Sequence, residues 1–200
     1  MPKQVDHENR RRSLVEASWD VIAREGLEGV TLRKVAESAN CTTGRIVHYF
    51  SGREDLILSA LKTAYEDSES RMSNIIAANT DPMSRLHEIA LEALPLDSKR
   101  LREWRVWMVF WAAAVSNEEL AIENTRRIKA WRNLLHQLIS ETPKVSHNRE
   151  AELAFEIASF IDGLGIQVCL ASSPAELKRS RKLAIEAVKN HLATIMRQQD

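Results

Sequence analysis

The stretch VTLRKVAESANCTTGRIVHYFSGREDLI, residues 30–57, reads as two short helices joined by a tight turn. Thr31 is a good N-cap, because its hydroxyl can accept from a backbone N–H that the first helical turn leaves unpaired. From there Leu32, Val35, Ala36 and Ala39 recur at helical spacing on one stripe, and Asn40 follows at a position that tolerates a left-handed backbone. A second short helix starts at Thr42 or Thr43, and its apolar residues are only Ile46 and Phe50, at i and i+4. Thr43, Gly44, Arg45, Val47, His48 and Tyr49 cover its other sides. A helix so thinly apolar is held along one face.

Working outward, helical spacing continues almost from end to end, and alternating strand-like runs with hairpin turns are missing. The fold class is therefore all-α, with about nine helices. The first spans about His7–Glu25, with Leu14, Ala17, Val21 and Ile22 on one face, and stops at Gly26, where a left-handed residue ends a helix without a Cβ clash. A long helix from Arg53 to Ala78 turns polar after Ala64 and reads as a connector. Beyond it, breaks at Asn79–Pro82, Pro95–Ser98, Thr142–Asn148 and Ser172–Pro174 divide the remainder into five amphipathic segments. The expected organisation is a helix-turn-helix domain over residues 1–53 and a larger helical domain over 54–200.

Composition removes several function classes. With 44% of 200 residues apolar and 28% charged, the chain has material for a sizeable core and lacks the bias of a disordered or collagen-like chain. The longest apolar run, Val106–Val115, is about half of the ~20 residues a bilayer requires, and no signal segment opens the chain. Cys41 and Cys169 have no partner at disulfide or zinc spacing and read as reduced thiols, so a cytoplasmic protein is expected. The six histidines form no ligand pattern, no Gly-x-Ser-x-Gly elbow exists, and Asp162-Gly163-Leu164-Gly165 lies inside a helical pattern with no strand before it. Neither a metal, a cofactor nor an enzymatic activity is expected. Net charge is zero, but residues 1–53 carry nine basic against seven acidic side chains, and the basic ones bracket the two short helices.

Two short helices with a tight turn and a polar outer face suit the roughly 12 Å wide major groove of DNA. Spacing alone leaves a second reading open, since any helical protein contains short amphipathic helices joined by turns. The residues narrow it. The run over 30–57, with its Thr-started helix, small residue before the turn, Thr-Gly, aromatic pair ending in Phe50, and Arg53 with Leu56 after it, resembles the DNA-binding signature of TetR-type transcriptional repressors. The likeness is close over about the first 60 residues. Within that family the chain is most similar to the choline-responsive betaine regulators, the BetI type, in its opening Met-Pro-Lys, Arg10–Arg12, and His48-Tyr49-Phe50, and less specifically in 107–112 and 161–164.

Chemistry assigns roles within that frame. Arg45, near the start of the recognition helix, can fork onto guanine O6 and N7, and Arg33 is a second such candidate. Val47 stands where the family commonly has an aromatic residue and can touch a thymine methyl. Thr31, Thr42, Thr43, His48, Tyr49 and Arg53 have groups suited to phosphate oxygens, and Gly44 lets the backbone approach closely. Arg10, Arg11 and Arg12 can reach the sugar-phosphate backbone or minor groove; otherwise they are a solvated face.

One such unit reads only a few base pairs, so a two-fold dimer on a near-palindromic operator is expected, its reading helices about one turn of DNA apart. The resemblance places the dimer interface on the last two helices, about Arg149–Leu170 and Pro174–Arg197. There Ala154, Ala158, Gly165 and Cys169 form a small-residue stripe, and Leu183, Ala187 and Leu192 supply a facing apolar side.

Trp104, Trp107 and Trp111 fall at i, i+3 and i+7 with Met108 beside them, and Trp131 comes from a neighbouring helix. Aromatic core packing accounts for such a stripe, and so does an aromatic box for a cationic effector. The resemblance implies a quaternary ammonium ligand, which ring faces attract by roughly 0.5–2 kcal/mol each. Asp162, in an apolar run, needs a ligand, an Arg or Lys partner, or a backbone donor, and a protein partner is the expectation. The competing classes are a helical enzyme or small-molecule carrier without DNA binding, and a regulator answering to a protein partner.

Overall fold

The computed structural model describes residues 2–142 and 146–197, with side chains described from His7 to Ile195. Met1 of the opening motif and residues 143–145 of the predicted break at Thr142–Asn148 lie outside the described residues, as do 198–200. The order is α1 (Pro2–Glu25), α2 (Leu32–Ser38), α3 (Thr43–Tyr49), α4 (Arg53–Ala78), α5 (Pro82–Glu92), α6 (Ser98–Ala114), α7 (Glu118–Ser140), a 3-10 turn (His147–Arg149), α8 (Glu150–Cys169) and α9 (Pro174–Arg197). All regular structure among the described residues is helical, as the periodicity requires. None of these helices is long and apolar enough to cross a membrane.

Two compact units divide the chain. The first comprises Met1–Asp67 with Arg102–Leu120, the second Ser68–Leu101 with Ala121–Asp200.

In the first unit α2 packs between α1 and α3. Leu14, Val15, Trp19, Val21 and Ile22 of α1, Val35 and Ala36 of α2, and Ile46 and Phe50 at α3 are all buried, together with Leu56 and Ala60 of α4. The turns are set by two left-handed residues at the positions the sequence marks for them, Gly26 (φ 68°) and Asn40 (φ 50°). Trp19 donates its indole N–H to the Ala60 carbonyl at 2.9 Å, which ties α1 to α4. Arg102 of α6 is anchored to α1, donating to the Glu16 carbonyl at 2.8 Å and pairing with Asp20 at 3.0 Å.

In the second unit α9 packs on both α5 and α8. Ile89, Leu94, Leu135, Leu138, Ile139, Leu153, Ile157, Ile161 and Val188 belong to its core. The small-residue stripe of α8 corrects an expectation. Ala154 and Ala158 belong to this same core with Ala184, Val188 and Leu192 of α9, and Gly165 is buried too. Small side chains four apart let α8 approach α9 closely, so Ala154 and Ala158 are used within one chain. The apolar side chains these helices leave exposed are Phe155, Leu170, Leu183 and Ile185.

The break that makes the fifth C-terminal segment falls at Val115–Asn117, which the sequence reading did not single out. Asn117 caps α7 there, its side-chain oxygen accepting from the Leu120 N–H at 3.0 Å, and Glu118 and Glu119 complement the helix dipole in the first turn.

Candidate nucleic-acid interface and effector site

The short helix α3 is held by burial of Ile46 and Phe50, with Tyr49 half-buried beside them. Thr42, Thr43, Gly44, Arg45, Val47 and His48 are exposed. Val47, an aliphatic side chain, is 58% exposed although no packing requires it there. A Cβ added to Gly44 would meet only the Thr42 hydroxyl, at 4.0 Å, so the glycine lowers the outer surface of α3 without being needed for contact inside the chain. Arg45 makes no side-chain hydrogen bond or ion pair among the described residues. Thr42 caps α3 through its backbone conformation, and its hydroxyl makes no capping bond.

The other predicted interface residues are already engaged to different degrees. Thr31 accepts from the Lys34 N–H at 3.2 Å and so caps α2. Arg33 lies 3.5 Å from Glu37 in an exposed pair, which contributes little. Tyr49 packs its ring on His7 at 4.5 Å and on His48 at 5.2 Å. Arg10 is exposed. Arg11 donates to the Ser59 hydroxyl at 2.7 Å and covers the Phe50 ring at 4.9 Å. Arg12 pairs with Glu16 and Asp67, and the hydrogen bond it donates to Asp67 holds its guanidinium above the usual arginine range. Arg53 donates to the Leu27 and Val30 carbonyls at 2.6 and 2.8 Å, so its fork closes the turn before α2.

The predicted effector residues fall in both units. In the first, Trp104 and Trp107 are buried, and Met108 and Trp111 are half-buried. Trp104 contacts Trp107 and Trp111 with ring centroids 5.7 and 5.5 Å apart. Tyr65 of α4 stacks on Trp107 at 5.5 Å and 17°. The indole N–H groups of Trp107 and Trp111 are shut off from solvent and meet no acceptor among the described residues.

In the second unit, Trp131 packs half-buried against the core. Burial pushes the Asp162 carboxyl up to about 6, and the charge of Arg132 on α7 opposes that shift. The Arg132 guanidinium covers the Phe155 ring at 4.6 Å. No group of three or more metal-ligating side chains occurs among the described residues.

Sequence reasoning missed Tyr65 and Arg102. Tyr65 continues the spacing of Leu58 and Leu61 at i, i+3 and i+7, which was the available signal; Arg102 had none, because its partners lie more than 80 positions away. Also unforeseen was buried Glu150, which meets His147 at 2.7 Å and His136 at 3.4 Å.

Comparison with known proteins bears on these features. Residues 14–60 match the family model of bacterial regulatory proteins, tetR family, and residues 82–197 that of the BetI-type transcriptional repressor C-terminal region. The HTH-type transcriptional regulator PksA of Bacillus subtilis is 30% identical over 95% of this chain and 93% of its own length. The HTH-type transcriptional regulator BetI of Burkholderia lata is 30% identical over 97% of this chain and all of its own. Among solved structures, a putative transcriptional regulator from Saccharomonospora viridis, crystallised in complex with choline, shares the fold with a TM-score of 0.77 at 23% identity, covering 91% of this chain and 96% of its own. With an outward-facing α3 behind a match to both family models, this chain is a transcriptional regulator of the TetR family whose C-terminal part is of the BetI type.

Proposed function

We propose that the protein is a repressor that binds a near-palindromic operator as a homodimer and is released by a small-molecule effector of the choline type. The observation that carries the reading is the outer face of α3, where Gly44, Arg45, Val47 and His48 are exposed while Ile46 and Phe50 anchor the helix from behind. Residues 1–53 read DNA, and residues 54–200 sense the effector and dimerise. Arg45 contacts guanine, Arg33 is a second base reader, and Val47 meets a thymine methyl. Thr42, Thr43, His48 and Tyr49 contact phosphates, with Gly44 allowing close approach; Thr31, Arg53 and Arg10–Arg12 support that surface or extend it along the backbone. Phe155, Leu170 and Leu183, exposed on α8 and α9, supply apolar dimer contacts.

Trp104, Trp107, Met108 and Trp111 offer ring faces and a thioether to an organic cation. In the second unit Asp162 supplies a carboxylate and Trp131 a ring face for such a cation. A cation there favours the ionised form, so its affinity rises as pH climbs through about 6. BetI relatives and a fold neighbour that holds choline support this class of effector. The protein works in the cytoplasm and performs no catalysis.

Release of DNA by an effector requires tighter effector binding to the DNA-free form, and by linkage the operator weakens effector binding by the same factor. Calorimetric titration of choline into the protein, alone and saturated with DNA flanking its own coding region, is expected to give a weaker affinity on DNA. Equal affinities would contradict release by choline.

A further inference from the structure

We propose that α6 carries a two-donor site for an oxygen acceptor, so that the effector bears a hydroxyl or carboxylate oxygen held by the indole N–H groups of Trp107 and Trp111. This rests on the reading of α6 as effector-binding and adds to it the part of the ligand that ring faces do not recognise. An indole contributes a ring face and one N–H, and a buried N–H normally finds an acceptor. Here two such donors, both closed to solvent, have no acceptor among the described residues.

The two donors share one helix face. Trp107 and Trp111 are four residues apart on one helix, which sets their side chains on the same face, and both rings pack on Trp104. Tyr65 stacks against the face of Trp107, which restricts that ring's plane. Core packing alone explains the rings; it gives no reason for two indole nitrogens on this face where phenylalanine would leave nothing unpaired. An effector oxygen, accepting from both through its two lone pairs, accounts for the rings and the nitrogens together.

The test compares choline with ethyltrimethylammonium, the same cation with its hydroxyl replaced by hydrogen, by calorimetry on the full-length protein. Choline is expected to bind about tenfold or more tightly, because the isostere leaves the donors unpaired. Trp107→Phe and Trp111→Phe keep a ring and remove the donor, and each is expected to bring the two ligands towards equal affinity. Should a variant fail to fold, the indole N–H resonances of the wild-type protein decide: those of Trp107 and Trp111 shift with choline and do not follow the same course with the isostere. Equal binding of both ligands by the wild type overturns the inference and leaves the cationic-effector reading standing. Binding of neither overturns that reading and this inference with it.

Discussion

The helix α3 and the part of α6 from Arg102 onward belong to the same compact unit, yet they display their chemistry in opposite ways. On α3 the informative side chains are those the fold does not use: Arg45, Val47 and His48 are exposed, and two anchors suffice to hold the helix. On α6 they are buried, and what marks Trp107 and Trp111 is a polar atom that the interior leaves without a partner. A surface meant for a large polyanion is recognised by exposed groups that packing does not need. A site meant for a small molecule is recognised by incomplete satisfaction inside. Arginine content alone would mislead, because Arg12 and Arg53 are occupied by Asp67 and by turn carbonyls.

This contrast can be strained from the side of α3 first. Because Ile46 and Phe50 alone hold that helix, Phe50→Ala is expected to destabilise the protein by about 3–5 kcal/mol, with loss of the Arg11 contact included. Denaturant unfolding measures it. A loss below about 1 kcal/mol would mean that α3 is supported elsewhere and that its outer face is not free.

The second strain applies to buried polarity. The folded Asp162 carboxyl titrates near 6 against an ordinary value of 3.8, so the folded state holds its proton over a range where the unfolded chain has released it. Stability therefore falls as pH rises from about 4 to about 6 and stays reduced above that, by up to about 3 kcal/mol. Asp162→Asn is expected to flatten this window and to raise stability at pH 7, as read from melting curves across pH 4–8. An unchanged profile would remove Asp162 from the set of strained buried groups.

Much of the fold was legible because its signals are local. Gly26 and Asn40 take the left-handed backbone expected of them, α4 has the predicted ends, and Ile46 with Phe50 are the buried pair of α3. The candidate site was legible where exposure follows directly from the helical pattern, as for Arg45 and Val47. It was not legible where a side chain's partner is distant in sequence. Arg53 closing the turn through Leu27 and Val30, Tyr65 on Trp107, and Arg102 on Asp20 depend on tertiary placement that spacing does not encode. The α8 stripe shows a further limit, since small residues announce close helix approach without saying whether the partner helix belongs to the same chain.

The most direct measurement is a gel-shift titration of DNA flanking the coding region, against a scrambled duplex, with wild-type protein and Arg45→Ala. A guanine contact by this exposed arginine predicts a loss of about 1–3 kcal/mol in preference for the flanking DNA, with melting temperature unchanged. Affinity and preference equal to wild type would contradict the assignment of α3 as the helix that reads the operator.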